Sequence, residues 1–393
     1  MNNVIKAAVD MGYSSVKASI DGQFVFQPSV IANRPSYLPD DPEDVKDFNF
    51  DTLLDNLDVT VLSPSCPGMS DRTFVGTKAV DSALPLTSMS LSSKRSKYSS
   101  NLPVYITLAL IAARKLQEAA QEGEVPRDVS CEVVMATALP VSEGAKRSVR
   151  EEYAGRFGKV RHTVIFHNFL EPITVRIKFT KVAVLQEGAA GQLFLTNHKN
   201  ELLPSIQADL EKTYGPEMAK AASEILSQRN TMTIDIGQGT TDFVVGLNGK
   251  LVQNASLSLN QGYGTVLTSA RAALDDFDSN QELIAYLNKK MPSYKKAAQD
   301  EVKRIVYEQL SPLTAQIASS TEAVASHASV NRQVDVIYVF GGGSIPLDKQ
   351  SNLRSVLVKT ANDFGLGPVV FISPKYAQKF NLLGLEIYLN HVK

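Results

Sequence analysis

Apolar residues along this chain fall into two rhythms, short runs and three-to-four-residue spacings, and each rhythm predicts an element. Residues 4–26 break into three short apolar runs separated by turn residues, which predicts three strands. Residues 33–100 are rich in Pro, Ser and Asp and read as irregular, with apolar pieces at 59–62 and 73–75. From about Pro103 to Gln121 the spacing becomes helical, with Leu108, Ala112 and Leu116 on one face. Val129 to Thr137 reads as a strand that stops at Leu139-Pro140. Ser142 is then placed to cap a charged helix running through Tyr153. Strands are expected near 162–167 and 172–179, and Val182 to Leu185 leads into Gln186-Glu187-Gly188-Ala189-Ala190-Gly191, the first turn of a helix. Residues 200–228 read as polar helices.

A second cycle begins at Thr231. Strands run through about 253, followed by helices at Gly264 to Asp276, 280–290 and about 294–327. Val334 to Phe340 is a buried strand ending in Gly341-Gly342-Gly343. A helix at about 347–364, a strand at 368–372 and a final helix from Asn381 complete the pattern. Each half gives strands first and helices afterwards. The expected fold is therefore α/β, a mixed sheet covered by helices and made twice.

Composition narrows the class. The 393 residues predict two or three domains, and 44% apolar with 21% charged residues is ordinary for a globular chain. A net charge of −1 leaves no large basic footprint for direct nucleic-acid binding. Two cysteines, Cys66 and Cys131, cannot staple a chain of this size, so a reducing, cytoplasmic setting is expected. The sequence goes straight into a strand with no cleavable leader, and no apolar run approaches the ~20 residues of a membrane span. The five histidines form no metal-site pattern, and His162 and His167 read as structural. Thr87 to Asn101 is Ser-rich and carries Lys94-Arg95-Ser96-Lys97, by default a solvated loop, alternatively a contact to a partner.

The candidate chemistry lies in a repeat. Ala8-Val9-Asp10-Met11-Gly12-Tyr13-Ser14-Ser15-Val16-Lys17 and Thr233-Ile234-Asp235-Ile236-Gly237-Gln238-Gly239-Thr240-Thr241-Asp242 are built alike. In each, an apolar strand ends in Asp, a small-residue turn follows, and Ser or Thr opens a second strand that reaches Asp21-Gly22 or Asn248-Gly249. Gly12, Gly237 and Gly239 permit close backbone approach, and successive N–H groups in such turns make a concavity for an anion. The hydroxyls of Ser14, Ser15, Thr240 and Thr241 add donors. Asp10 and Asp235 would repel phosphate directly, but make sense around a hydrated Mg²⁺, which keeps most of its waters. Lys17 lies across its hairpin from Asp10 and reaches a phosphate as a point charge. Two ordinary hairpins are the alternative, since Asp-Gly and Asn-Gly are common tight-turn pairs. The repetition favours a nucleotide clamped between two related domains.

These stretches resemble the actin, Hsp70 and sugar-kinase superfamily. Asp10 to Lys17 is similar to its first phosphate loop, Asp235 to Asp242 to its second, and Val339-Phe340-Gly341-Gly342-Gly343-Ser344 to its adenosine loop. Within it, ParM-type bacterial actins are the nearest likeness. Thr137-Ala138-Leu139-Pro140-Val141, Val184-Leu185-Gln186-Glu187, Val266-Leu267-Thr268-Ser269-Ala270 and Asn381-Leu382-Leu383-Gly384 carry it. Residues 27–100 match poorly, and Tyr13 and Gln238 stand where relatives often have Gly or Ser.

The resemblance implies an actin-like fold of two domains. Domain I would be 1–182, with a variable outer part around 27–100 and the helix 381–393 packing back on it. Domain II would be 183–380, with a helical outer part around 264–328. It implies ATP, with GTP possible, and Mg²⁺ held by Asp10 and Asp235 through water. Gly12, Tyr13, Ser14, Ser15, Lys17, Gly237, Gln238, Gly239, Thr240 and Thr241 would hold phosphates. Gly341, Gly342, Gly343 and Ser344 would lie against adenine, with Lys303 and Arg304 as further candidates; either reads equally as exposed helix charge. Glu187, in the position of the family's catalytic glutamate, would orient or deprotonate the attacking water, with Asp235 beside it; read without the resemblance, Glu187 is a first-turn carboxylate favoured by the helix dipole. Asp242 would support the second loop through backbone N–H groups. The implied activity is an ATP-hydrolysing filament that binds itself head to tail. It would move plasmid DNA through an adaptor protein on centromere-like DNA, without touching DNA or membrane itself.

A small-molecule kinase on the same fold is the alternative, and it would need a substrate pocket that residues 27–100 could hold. An Hsp70-like chaperone would need a further peptide-binding domain. A membrane-tethered actin would need a terminal basic amphipathic helix, whereas Leu382 to Lys393 reads as core.

Overall fold

The computed structural model describes residues 4–89 and 96–391. Contacts divide the chain into two compact units. Unit 1 takes Met1–Leu139, Lys146–Leu185 and Leu385–Lys393; unit 2 takes Pro140–Ala145 and Gln186–Gly384.

Unit 1 is built on β1 (Val4–Met11), β2 (Ser15–Ile20), β3 (Gln23–Pro28), β4 (Val30–Asn33), β5 (Asp58–Leu62), β6 (Thr73–Val75), β7 (Thr87–Ser88), β8 (Asp128–Leu139), β9 (Arg161–Phe166) and β10 (Ile173–Gln186). They form one sheet in the order β3-β2-β1-β8-β10-β9-β5-β6-β4-β7. β1 runs antiparallel to β2 and parallel to β8. One face of it, Ile5, Ala7, Val9 and Met11, is apolar and buried, while the other runs from exposed Val4 and Lys6 to buried Ala8 and Asp10. β3, at the edge, buries Val25 and exposes Phe24 and Phe26. The helices are α1 (Thr77–Asp81), α2 (Leu102–Gln121), α3 (Val141–Gly144) and α4 (Arg147–Gly158), of which α3 is counted with unit 2. α2 carries Pro103 in its first turn, where a missing N–H costs nothing, and is buried on nearly every side.

Two expectations fail in this half. Residues 33–100 are less irregular than expected: the apolar pieces at 59–62 and 73–75 lie in β5 and β6, and β4 pairs with β6, β6 with β5 and β5 with β9, Val59 facing Phe166. These strands are three to five residues long, too short for periodicity to register. Ser142 caps nothing, because the chain breaks into α3 and α4, and Lys146 precedes α4 without a side-chain cap. Instead the Ser142 amide donates to Ser258 Oγ at 2.9 Å. In the Ser-rich segment, Lys94 and Arg95 lie outside the described residues, while Lys97 is buried rather than solvated.

Unit 2 holds β11 (Thr231–Ile236), β12 (Thr241–Leu247), β13 (Lys250–Leu251), β14 (Leu257–Leu259), β15 (Val336–Phe340) and β16 (Val369–Phe371). Their order is β13-β12-β11-β15-β16, with β14 on β12. Its remaining helices are α5 (Ala189–Asn197), α6 (Lys199–Tyr214), α7 (Pro216–Lys220), α8 (Ala222–Ser227), α9 (Tyr263–Leu274), α10 (Asn280–Asn288), α11 (Ser293–Glu308), α12 (Leu310–Ala325), α13 (Ser344–Gln350), α14 (Leu353–Asp363), α15 (Pro374–Ala377) and α16 (Phe380–His391). The first five residues of α16, from Phe380 to Gly384, belong to unit 2 and the rest to unit 1.

Both units therefore repeat one plan. A strand meander, β3-β2-β1 or β13-β12-β11, is followed in space by a parallel strand, β8 or β15. Each meander closes on a two-residue turn with both residues at positive φ: Asp21 at 49° with Gly22 at 76°, and Asn248 at 53° with Gly249 at 73°. That is the geometry whose twist matches paired strands. Cys66 and Cys131 are buried free thiols. Among the described residues no helix is long and apolar enough to cross a membrane.

Candidate nucleotide site

The two hairpins are the same device residue by residue. In the first, Asp10 faces Lys17 and Met11 faces Val16. In the second, Asp235 faces Asp242 and Ile236 faces Thr241. The turn between them closes identically, Gly12 N–H donating to Ser15 O at 3.0 Å and Gly237 N–H to Thr240 O at 2.9 Å. A Cβ on Gly12 would sit 2.7 Å from Ser15 O, so only glycine fits that turn.

In unit 1, Asp10 is buried at the strand end and its Oδ2 accepts from Lys17 Nζ at 3.2 Å. The lysine side chain is 13% exposed, so the pair is largely withdrawn from bulk solvent. Ser14 O accepts from Ser29 N–H at 3.0 Å, which ties the turn to β4's approach. Tyr13 lines a cavity of about 390 Å³ together with Met69, Met89, Lys97 and Asn101. Its side chain thus serves the unit's interior, while its backbone stays in the turn.

In unit 2 the structure brings together four of the expected segments. Gly343 N–H donates to Ile236 O at 2.8 Å, which seats the glycine loop on the second hairpin. Gly341 has φ +91°, and a Cβ there would lie 2.4 Å from Asp235 Oδ1. Tyr263 N–H and Gly264 N–H donate to the carbonyls of Gly237 and Gln238 at 2.9 and 2.8 Å, so the start of α9 braces the same turn. The strand β10 runs on to Gln186, and Glu187 occupies the turn before α5, with Gly188 at φ +77°. Gly188 N–H donates to Asn381 Oδ1 at 3.0 Å, and Asn381 Nδ2 donates to Asp235 Oδ2 at 2.6 Å. Asn381 belongs to a stretch that carried the family likeness, but no role at the site was expected of it from sequence. Its partners lie 193 and 146 residues away, and nothing local in the sequence signals that distance.

Asp242 bonds to its own loop through the Thr240 hydroxyl and also reaches beyond it. It is buried, and its carboxylate accepts from Val141 N–H at 2.8 Å, Thr240 Oγ1 at 2.8 Å and the Ser258 hydroxyl. The amide it holds belongs to α3, not to its own loop. Thr241 Oγ1 donates to Gln261 O at 2.9 Å. Lys303 and Arg304 stand apart from the four segments in their bonding. Lys303 Nζ donates to Gln299 Oε1 at 3.0 Å, and Arg304 is bonded to Glu301 and Glu308 on its own helix with half its side chain exposed. Tyr307, one turn on, adds to a field around Tyr263, whose phenol is pushed up to about 12, mainly by burial.

Chemically, each turn offers a bent row of amides with a carboxylate behind it, and one copy adds a cation. No group of three or more His, Cys, Asp or Glu residues able to cage a metal occurs among the described residues. Such donors suit a hydrated divalent ion shared with phosphates better than a protein-enclosed one.

Residues 8–189 match the family described as actin like proteins, N terminal domain. No curated protein matches the chain in sequence. Among solved structures it is similar to the actin-like protein Alp7A, at 19% identity with a TM-score of 0.66 over 98% of this chain and 96% of that one. It is similar to ParM of Bacillus thuringiensis with AMPPNP, at 16% identity and 0.56 over 99% of each. It is also similar to Ta0583, an archaeal actin homologue, at 15% identity and 0.58 over 99% of this chain and 100% of that one. Residues 8–189 thus resemble the N-terminal domain of actin like proteins, and the whole chain has the actin-like fold seen in ParM and Alp7A.

Proposed function

We propose that this protein is a nucleotide-dependent, filament-forming ATPase that segregates plasmid DNA through an adaptor protein. The observation that carries the reading is the repeated turn. Two hairpins with the same closure, each with an aspartate two residues before the turn glycine, are each suited to phosphate oxygens. The glycine loop seated on the second hairpin adds a flat surface for a base.

Phosphoryl transfer needs mainly positioning and neutralisation, so few groups are required. The amides that follow Gly12 as far as Ser15, and Gly237 as far as Thr240, hold phosphate oxygens, and Lys17 supplies positive charge. Asp10 and Asp235 would each offer a carboxylate to a hydrated Mg²⁺, and that ion would supply positive charge against the phosphates. Glu187 orients the attacking water and accepts its proton. Gly341 to Ser344 receive adenine; Lys303 and Arg304 stay as peripheral contacts to the nucleoside. A ParM with AMPPNP and one with ADP share this fold, which favours an adenine nucleotide. A ParM described as a non-polymerisable mutant shares it too, which favours head-to-tail assembly. The domain limits 1–182 and 183–380 and a cytoplasmic setting belong to the same reading.

The test is pelleting and light scattering with ATP, ADP or GTP, run beside phosphate release. Polymer is expected with ATP, followed by phosphate release and disassembly. Absence of any nucleotide-dependent polymer at micromolar protein sinks the filament; phosphate transfer to a small hydroxyl compound without polymer would put a kinase in its place.

A further inference from the structure

The last helix of the fold reaches into the second hairpin through one side chain. α16 opens with Phe380-Asn381-Leu382-Leu383-Gly384, in which Asn381 and Gly384 are three apart and so share a face. Gly384 packs on the backbone of α5 so closely that a Cβ would lie 1.8 Å from Ala190 O. Gly191 completes the contact, since a Cβ there would lie 2.8 Å from Phe340 and 2.9 Å from Phe380. This close approach delivers the Asn381 carboxamide, itself buried, between two groups of opposite demand. The Gly188 amide can only donate and the Asp235 carboxylate accepts, so the oxygen of Asn381 faces Gly188 and its nitrogen faces Asp235. Only one amide orientation satisfies both.

We infer that Asn381 is a positioning residue that fixes the Asp235 carboxylate and the Glu187-Gly188 turn to each other. Its bond to Asp235 Oδ2 sets the plane of that carboxylate, whose Oδ1 is meanwhile confined by Gly341. Its bond to Gly188 holds the residue after Glu187 at φ +77°, so the glutamate leaves the strand in a set direction. The group that receives the hydrated ion and the group that receives water are therefore aligned by one planar amide. Supporting partners of this kind set metal affinity without touching the metal. The inference rests on the nucleotide reading above for its purpose, but the bridge itself is testable without nucleotide.

Two measurements on the full chain separate the possibilities. Hydrogen exchange at Gly188 is expected to quicken about tenfold or more in Asn381→Ala, and to stay near wild type in Asn381→Asp, which keeps an acceptor for that amide. Affinity for a non-hydrolysable adenine nucleotide is then measured with Mg²⁺ and with EDTA. Both variants should lose roughly tenfold of the gain that Mg²⁺ confers, with EDTA affinity little changed at a temperature where each variant is folded. Unchanged exchange at Gly188 in Asn381→Ala overturns the bridge, whatever nucleotide does. A wild-type chain that binds nucleotide, with an equal Mg²⁺ gain in both variants, overturns the positioning role alone. A wild-type chain that binds no nucleotide removes the role and the reading beneath it, even if the exchange result holds.

Discussion

The run Gly341-Gly342-Gly343 looks uniform in sequence, yet the structure assigns its three members very different tolerances, and an alanine series should separate them. At Gly341 the backbone has φ +91°, which costs an L-residue about 1–2 kcal/mol. The added Cβ would also lie 2.4 Å from both Asp235 Oδ1 and Ile236 O, and relieving such an overlap costs about 1–3 kcal/mol. The sum, about 2–5 kcal/mol, lowers the melting midpoint by roughly 5–20 °C for a unit of this size. Gly343 has an ordinary φ of −73°, and its Cβ would meet Ile236 Cγ2 at 2.8 Å. That methyl sits on the stiff Cβ of a buried β-branched residue, and Ile236 O lies 3.0 Å away, so the overlap costs about 1–3 kcal/mol without the φ penalty of Gly341. Gly342 would place its Cβ 3.6 Å from Gln378 Cγ, in ordinary contact, and alanine should be neutral or stabilise by up to about 1 kcal/mol through the unfolded chain. The chain has no Trp, so calorimetry and far-ultraviolet circular dichroism are the assays. The reasoning fails if Gly342→Ala destabilises as much as Gly341→Ala, or if Gly341→Ala leaves the midpoint in place.

Three further outcomes follow from other parts of the molecule. Glu187→Ala should still assemble with ATP but slow phosphate release by roughly 100-fold or more, and unchanged release in a single-turnover assay would remove it from the water-orienting role. His162 is buried, with Nδ1 2.8 Å from Ser63 Oγ and Nε2 2.9 Å from Phe157 O. Burial holds its pKa below the usual value, so the neutral ring stabilises the fold above about pH 6.5 and that contribution is lost as pH falls; His162→Gln should flatten the acid side of a stability-versus-pH curve, and parallel curves would refute this. Burial pushes the thiols of Cys66 and Cys131 up to about 11 and about 12, so Ellman's reagent at pH 8 should label the native chain at least ~100-fold more slowly than the unfolded one.

The sequence made the hairpins legible because each is a local object. Asp10, Gly12 and Lys17, like Asp235, Gly237 and Thr240, sit within eight residues, and their pattern specifies a strand, a turn and a strand. Helix breaks were legible in principle but run together in the reading. The stretch 294–327 is two helices, parted at Gln309 just ahead of Pro312, and 347–364 is divided by extended Ser351, whose hydroxyl accepts from Leu353 N–H at 3.2 Å. Pro312 carries its own warning, since a proline has no N–H for the carbonyl four residues back and clashes with it, so it fits only in a helix's first turn. What could not be read is whatever depends on partners far along the chain. Arg156 looks like one charge in a polar helix, yet it donates to Ser65 O at 2.7 Å, Tyr98 O at 2.8 Å and Asn101 Oδ1 at 2.6 Å, pinning two loops. Asn381 and Asp242 are of the same kind. Each is a short polar side chain whose meaning appears only when distant backbone amides arrive beside it.

The shared register of the hairpins gives Lys17 and Asp242 the same address in the two copies. One address carries a cation near the turn, and the other a carboxylate sealed among an amide and two hydroxyls. A duplicated motif has thus divided its labour between recognition and architecture. Drift at the two addresses should be policed differently. Changes at Asp242 strand a buried amide and should be filtered by whether the chain folds at all. Changes at Lys17 leave the scaffold standing and should be filtered only by what the loop must hold, so lineages of this fold are free to retune one copy while the other stays fixed.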